Sequence, residues 1–125
     1  MATEITVAYA QAIATNIIQN SYVGLIRQDG SECPIGRVAF GDVVVDATSD
    51  PDYIVLSNLN DVMFPIASTD VAPTSNPVVK VVLFNANNGG NMLAKTDVVA
   101  KPYLVGDQFK IPAGWLQFKI QKVVP

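Results

Sequence analysis

The chain alternates between short apolar runs and brief polar or glycine-bearing breaks, and only its first stretch departs from that rhythm. Between Thr3 and about Asn20, Ile5, Ala8, Ala12, Ile13 and Ile17 recur at three- and four-residue spacing. That period puts them on one face of a helix, predicted over about residues 4–19. Thr3 stands where a side-chain cap is needed, Glu4 suits the positive end of the helix dipole, and Asn20-Ser21 ends the run. A helix this short is marginal alone, so its stripe must pack on the sheet of its own domain or on a neighbouring subunit.

From Tyr22 onward the pattern predicts strands, over 22–28, 35–40, 43–47, 53–56, 62–64, 78–84, 92–95, 98–100, 103–105, 108–111 and 115–121. Asp29-Gly30, Gly41-Asp42 and Gly106-Asp107 punctuate them, because glycine accepts the backbone a tight turn needs. The run 78–84 is apolar on both faces apart from Lys80, which predicts a central strand covered on both sides, with 92–95 returning on it as a hairpin. The last run alternates: Leu116, Phe118 and Ile120 point one way, Gln117, Lys119 and Gln121 the other. Residues 67–77, rich in Ser, Thr, Asp and Pro, predict a surface loop. Short, evenly spaced strands with turn signals between them predict a mainly β fold, an antiparallel β-sandwich (jelly-roll-like) with one N-terminal α-helix, as a single domain over 1–125.

Composition narrows the function. Half the residues are hydrophobic and only 15% are charged, so part of the surface is expected to be covered by copies of the chain or by another protein. The net charge is −3 and the eight basic residues are scattered, which argues against nucleic acid. No apolar run approaches the ~20 residues of a membrane span. The start lacks a basic segment and carries Glu4, so synthesis in a cytoplasm without secretory export is expected.

There is no histidine, which removes Ser-His-Asp and Cys-His nucleophile systems and His-based metal sites. The single cysteine, Cys33, lies in a polar turn and is expected to be an inconsequential loop thiol. Asp42, Asp46, Asp50 and Asp52 fall in one segment, but their spacing fits no calcium loop and solvated carboxylates are expected. Residues 87–90 lack the lysine and following helix of a phosphate loop. Nothing brings Asp61 or Asp107 into a paired-carboxylate site. No catalytic, cofactor-binding or metal residue is therefore expected, and the chain reads as a non-enzyme. Recognition of a receptor or glycan would need grouped loop aromatics, for which only Tyr53 and Tyr103 are candidates. Trp115, the one tryptophan, shares the wetter face of the last strand, where core packing and a subunit contact compete. Ile5, Tyr9, Ile13 and Trp115 are the expected interface residues.

Several motifs carry a resemblance. They are Ser21-Tyr22-Val23-Gly24-Leu25 after the helix, Gly36-Arg37, and Asn60-Asp61-Val62-Met63-Phe64-Pro65. The most specific are Phe84-Asn85-Ala86-Asn87-Asn88-Gly89-Gly90-Asn91-Met92-Leu93 and Gly106-Asp107-Gln108-Phe109-Lys110-Ile111-Pro112-Ala113-Gly114-Trp115-Leu116. The chain resembles a family of small bacteriophage virion structural proteins, often described as tail-fibre or decoration-type. It departs from them at 74–77, where Thr-Ser-Asn-Pro stands in place of an aromatic before the 78–84 strand. The resemblance implies a virion component assembled in the host cytoplasm, with copies of itself, such as a trimer, and another virion protein, such as the major capsid protein, as partners. One small domain leaves no room for a fibre shaft, which favours a capsid decoration (cement) protein bound to the assembled shell. The alternative is a tail, tail-fibre or baseplate-attachment module, including one that contacts the host.

Overall fold

The computed structural model describes residues 7–121. Helix α1 (Val7–Ile13) runs directly into a wider turn (Ala14–Ile18), where the Gln19 N–H donates to the Ala14 carbonyl five residues back at 2.8 Å. Nine strands follow among the described residues: β1 (Tyr22–Arg27), β2 (Val38–Ala39), β3 (Val43–Asp46), β4 (Tyr53–Asn58), β5 (Val62–Met63), β6 (Val78–Phe84), β7 (Met92–Lys101), β8 (Lys110–Ile111) and β9 (Gln117–Gln121). Every pairing is antiparallel, in a four-stranded sheet ordered β2-β1-β6-β7, a three-stranded sheet β3-β4-β9 and the pair β5-β8. The mainly β, antiparallel architecture with one N-terminal helix is the one the pattern predicts. The strand orders do not by themselves make it a jelly roll.

The period-two pattern fills one core from all three sheets. Val23 and Leu25 of β1, Val81 and Leu83 of β6, and Ile54 and Leu56 of β4 point into it beside Val62, Ile111 and Leu116. Each such side chain contributes roughly 1.5–3 kcal/mol by leaving water. Beside them Phe109 meets Phe64 edge-on at 5.9 Å and stacks on Tyr103 at 6.0 Å, while the Tyr103 hydroxyl donates to the Pro65 carbonyl. Tyr103, a candidate for an exposed recognition aromatic, is thus a core residue.

Five further expectations are corrected. The helix buries Ala10, Ala14 and Ile18 with Ile13 at their margin, whereas Ala8, Ala12 and Ile17 face outward; Ile5 and the predicted start lie outside the described residues. Small alanines win the inner face because they let the helix approach β3 and β4 closely. Runs 92–95 and 98–100 form one strand, since Thr96 and Asp97 continue the ladder opposite Val81 and Lys80. The 35–40 run keeps only Val38–Ala39 in a strand, because Gly36 turns at φ 90°. Residues 67–77 are a strap with buried Ala67, Val71, Ala72 and Pro77. The strap is held by reciprocal backbone bonds between Ala72 and Tyr103 (3.0 and 2.7 Å) and by the Arg27 guanidinium on the Val71 carbonyl (3.2 Å). Cys33 is buried under that strap, its Sγ 3.6 Å from the same carbonyl.

The acidic segment is local architecture. Asp46 accepts from the Thr48 and Ser49 amides at 3.0 and 3.1 Å, and Asp50 from the Asp52 and Tyr53 amides, each closing a turn. Asp61 and Asp107 do the same for Ala113 and Leu104. Among the described residues no group of His, Cys, Asp or Glu could hold a metal ion, and no helix is long and apolar enough to cross a membrane.

Two of these features set the pH range of stability. The hydrogen bonds on Asp46 pull its pKa down to about 2, and those on Asp29 and Asp61 act in the same direction. Folding favours these carboxylates charged, so their contribution is present above pH 3.8 and is lost as pH falls toward about 2. Burial raises the Cys33 thiol and the Tyr103 hydroxyl above their ordinary values of 9.0 and 10.0. Folding favours them protonated, so their contribution is present below pH 9.0 and fades above it. Urea midpoints measured across pH should form a plateau with both shoulders, and Asp46→Asn should flatten the acid one. An unchanged acid shoulder in that variant would contradict the assignment.

Candidate interaction surface

Two apolar clefts lie between the edges of the two larger sheets. Among the described residues, strand β7 is the outer edge of its sheet, bonded only to β6, and β9 is an outer edge of the other. Between them runs a cleft of about 290 Å³, lined by Val81, Leu83, Ala94 and Thr96 on one side and Trp115, Leu116 and Phe118 on the other. A second cleft of about 290 Å³ continues past Trp115 to Val98, Val99, Phe109 and Ile111. Trp115 stands between the two, 64% exposed.

The position of Trp115 follows from a buried polar side chain at the end of β4. Asn58, 1% exposed, accepts from the Leu116 amide at 3.0 Å and donates to the carbonyls of Asn60 (2.8 Å) and Pro112 (3.0 Å). Its own carbonyl accepts from the Gly114 amide at 2.8 Å. The 112–116 corner is therefore closed from inside, Leu116 is turned into the core, and its neighbour Trp115 is turned out. Gly114 adopts φ 81°, a backbone that suits glycine.

The other wall depends on the β6–β7 hairpin, and Arg37 fixes its tip. The guanidinium carbon sits 3.5 Å from the Phe84 ring centroid. Nε and Nη2 each donate to Glu32 at 2.9 Å, and Nη1 donates to the carbonyls of Ala86 (2.8 Å) and Gly89 (2.7 Å). Only 7% of the side chain is exposed. The planar fork satisfies Glu32 and two loop carbonyls while its face stacks, which a lysine could not do. Gly24 makes the room: a Cβ there would come within 2.8 Å of the Phe84 ring. Asn85 then closes the hairpin by accepting from the Asn91 amide at 2.8 Å.

The four interface candidates separate. Trp115 lies on the open flank. Tyr9 is exposed on the helix, beside β3 and β4 rather than β7; Ile13 is half-buried against the core; Ile5 lies outside the described residues. Sequence reasoning passed over Asn58, Glu32 and the role of Arg37. Their one signal was the presence of a Gly-Arg pair and an asparagine between apolar runs.

Arg37→Ala should cost about 2–3 kcal/mol, since it strips a part-buried ion pair and two loop carbonyls together, and Arg37→Lys should recover little of it. Asn58→Ala should cost about 2–3 kcal/mol by leaving the Leu116 amide and two carbonyls unmatched. Chemical denaturation measures both. Full recovery in Arg37→Lys would show that charge alone suffices.

Comparison with curated proteins and with solved structures returns no match. A family model described as "Podophage GP4 fiber I protein gp80" matches residues 20–119, which takes in β1 to β8 and the start of β9 and leaves the helix outside. With four-fifths of its length covered, the chain belongs to that family of phage fibre-type structural proteins.

Proposed function

We propose that the chain is a non-enzymatic structural component of a phage fibre, held in the virion by protein–protein contacts. The observation that carries this reading is the fibre description of the family across 20–119. Supporting it is the open flank, where an indole and two apolar clefts are presented by elements fixed from inside by Asn58 and Arg37. Such a patch suits burial against a protein. The carboxylates of Asp46, Asp61 and Asp107 are spent on turns and corners. Partners under this reading are copies of the chain and a neighbouring virion protein, with no nucleic acid, membrane or cofactor involved. Trp115 contributes from the flank, and Tyr9 and Ile13 from the helix. The family description favours the fibre side over the capsid decoration that chain length alone suggests.

Trp115→Ala should leave the midpoint of unfolding within about 0.5 kcal/mol of wild type, because the side chain is mostly in water. Its incorporation into particles should fall about tenfold or more, as for an interface anchor. Antibody labelling of intact particles locates the chain directly. Label on fibres supports the reading, and label spread over the capsid lattice would replace it with decoration. Normal incorporation of the variant would remove Trp115 from the interface.

A further inference from the structure

Strand β7 spans ten residues and, among the described residues, pairs only through its β6 side. Its other side is a row of backbone donors and acceptors with no described strand opposite, the arrangement that templates pairing with another chain. The edge is regular only in part. From Ala94 to Asp97 it keeps step with Leu83 to Lys80, and on either side the register shifts, most strongly at 98–100, which face Val79 alone. Only a short segment centred near Thr96 can therefore accept a strand without distortion.

We propose that this segment pairs with the same segment of a second copy, antiparallel, about a two-fold axis through Thr96. The argument is charge and face complementarity. With the axis at Thr96, Lys95 lies opposite the partner's Asp97 and Asp97 opposite the partner's Lys95. Ala94 then meets the partner's Val98, both on the core-facing side, and Leu93 meets the partner's Val99. No hydrogen bond or ion pair engages Lys95 among the described residues, and Asp97 has only a 3.7 Å contact with Lys80. The other registers centred between Lys95 and Val99 do worse. An axis at Lys95 or at Asp97 sets that residue against its own copy, like charge on like. An axis at Val98 sets Lys95 against the partner's Lys101. An axis at Val99 pairs Asp97 with the partner's Lys101, but it runs through the irregular 98–100 stretch and into Pro102, which has no N–H to give. Axes between residues would oppose core-facing and outward side chains.

The pairing makes β2-β1-β6-β7 continuous with its copy as one eight-stranded sheet. It also covers Val99, which is 91% exposed, and brings the second copy to the clefts beside Trp115. The inference deepens the reading that the chain assembles with copies of itself: it names the edge, the register and the symmetry.

The test uses two charge reversals on exposed positions. Wild type should dimerise reversibly in sedimentation equilibrium, and dilution should red-shift the emission of Trp115, the sole tryptophan. K95D and D97K should each weaken the dimer at least about tenfold, because both symmetry-related pairs become repulsive. An equimolar mixture of the two variants should restore dimerisation, since each reversed residue then faces an opposite charge, and native mass spectrometry should show the heterodimer. Circular dichroism confirms that each variant is folded. A monomeric or trimeric wild type, single variants with wild-type affinity, or a mixture that stays monomeric would each overturn the two-fold pairing. If particle labelling still finds the chain on fibres, only this contact fails and the fibre reading stands.

Discussion

Strand β6 is dry on both faces over 81–84, and most of the molecule can be understood as the means of covering it. Its inner face, Val81 and Leu83, meets the side chains of the opposing sheet. Its outer face carries Val82 and Phe84, which lie outside that core cluster. A guanidinium covers Phe84, its carbon 3.5 Å from the ring centroid, while its edge bonds Glu32 and two loop carbonyls. A buried cation is tolerable only when every donor is matched and the ring beneath is close. Both conditions constrain their surroundings: Gly24 must lack a side chain, and 85–91 must fold back over the end of the strand. The glycine- and asparagine-rich hairpin tip is thus the far half of an arginine site.

That dependence explains which parts of the fold could be read from sequence. Strands β1, β4, β6 and β9 are written in apolar alternation or continuous apolar runs, and hydrophobic burial follows such patterns directly. The helix was located, but its inner face was not. The predicted stripe of Ala8, Ala12 and Ile17 faces outward, whereas Ala10, Ala14 and Ile18 are buried, the last two at either end of the wider turn. The 67–77 strap read as a polar loop, yet its backbone is tied to Tyr103, and Val71 and Ala72 are buried. Local composition carries no trace of a partner thirty residues away. Cys33 was misjudged for the same reason: it is in a turn, but beneath that strap.

The candidate surface was legible only in fragments. Trp115 was marked by its type and by alternation, and it is exposed. What aims it outward is Asn58, more than fifty residues earlier in the chain, whose side chain bonds the backbone on both sides of the corner. A buried asparagine looks like any connection residue until its neighbours in space are known. The motifs that carry the sequence resemblance, around 84–93 and 106–116, are likewise geometric. They contain the Arg37-bound tip, the Asp107 turn and the Asn58-bound corner. They build a frame and hold two edges apart.

The residues on those edges follow a different logic from the frame. Strand β7 buries little, so the core places weak demands on its sequence beyond Ala94 and Val98. A strand with that freedom would be expected to carry the devices that keep an exposed edge from indiscriminate pairing, and it does: irregular register at both ends and charges near its centre. Yet Lys95 and Asp97 flank Thr96 with opposite signs, so the same charges that repel many registers attract in one. Protection and selective pairing are then one feature, since an edge that refuses most partners while matching its own copy gives an assembly a defined contact instead of aggregation. For the self-association proposed above, that is the property the exposed edge needs.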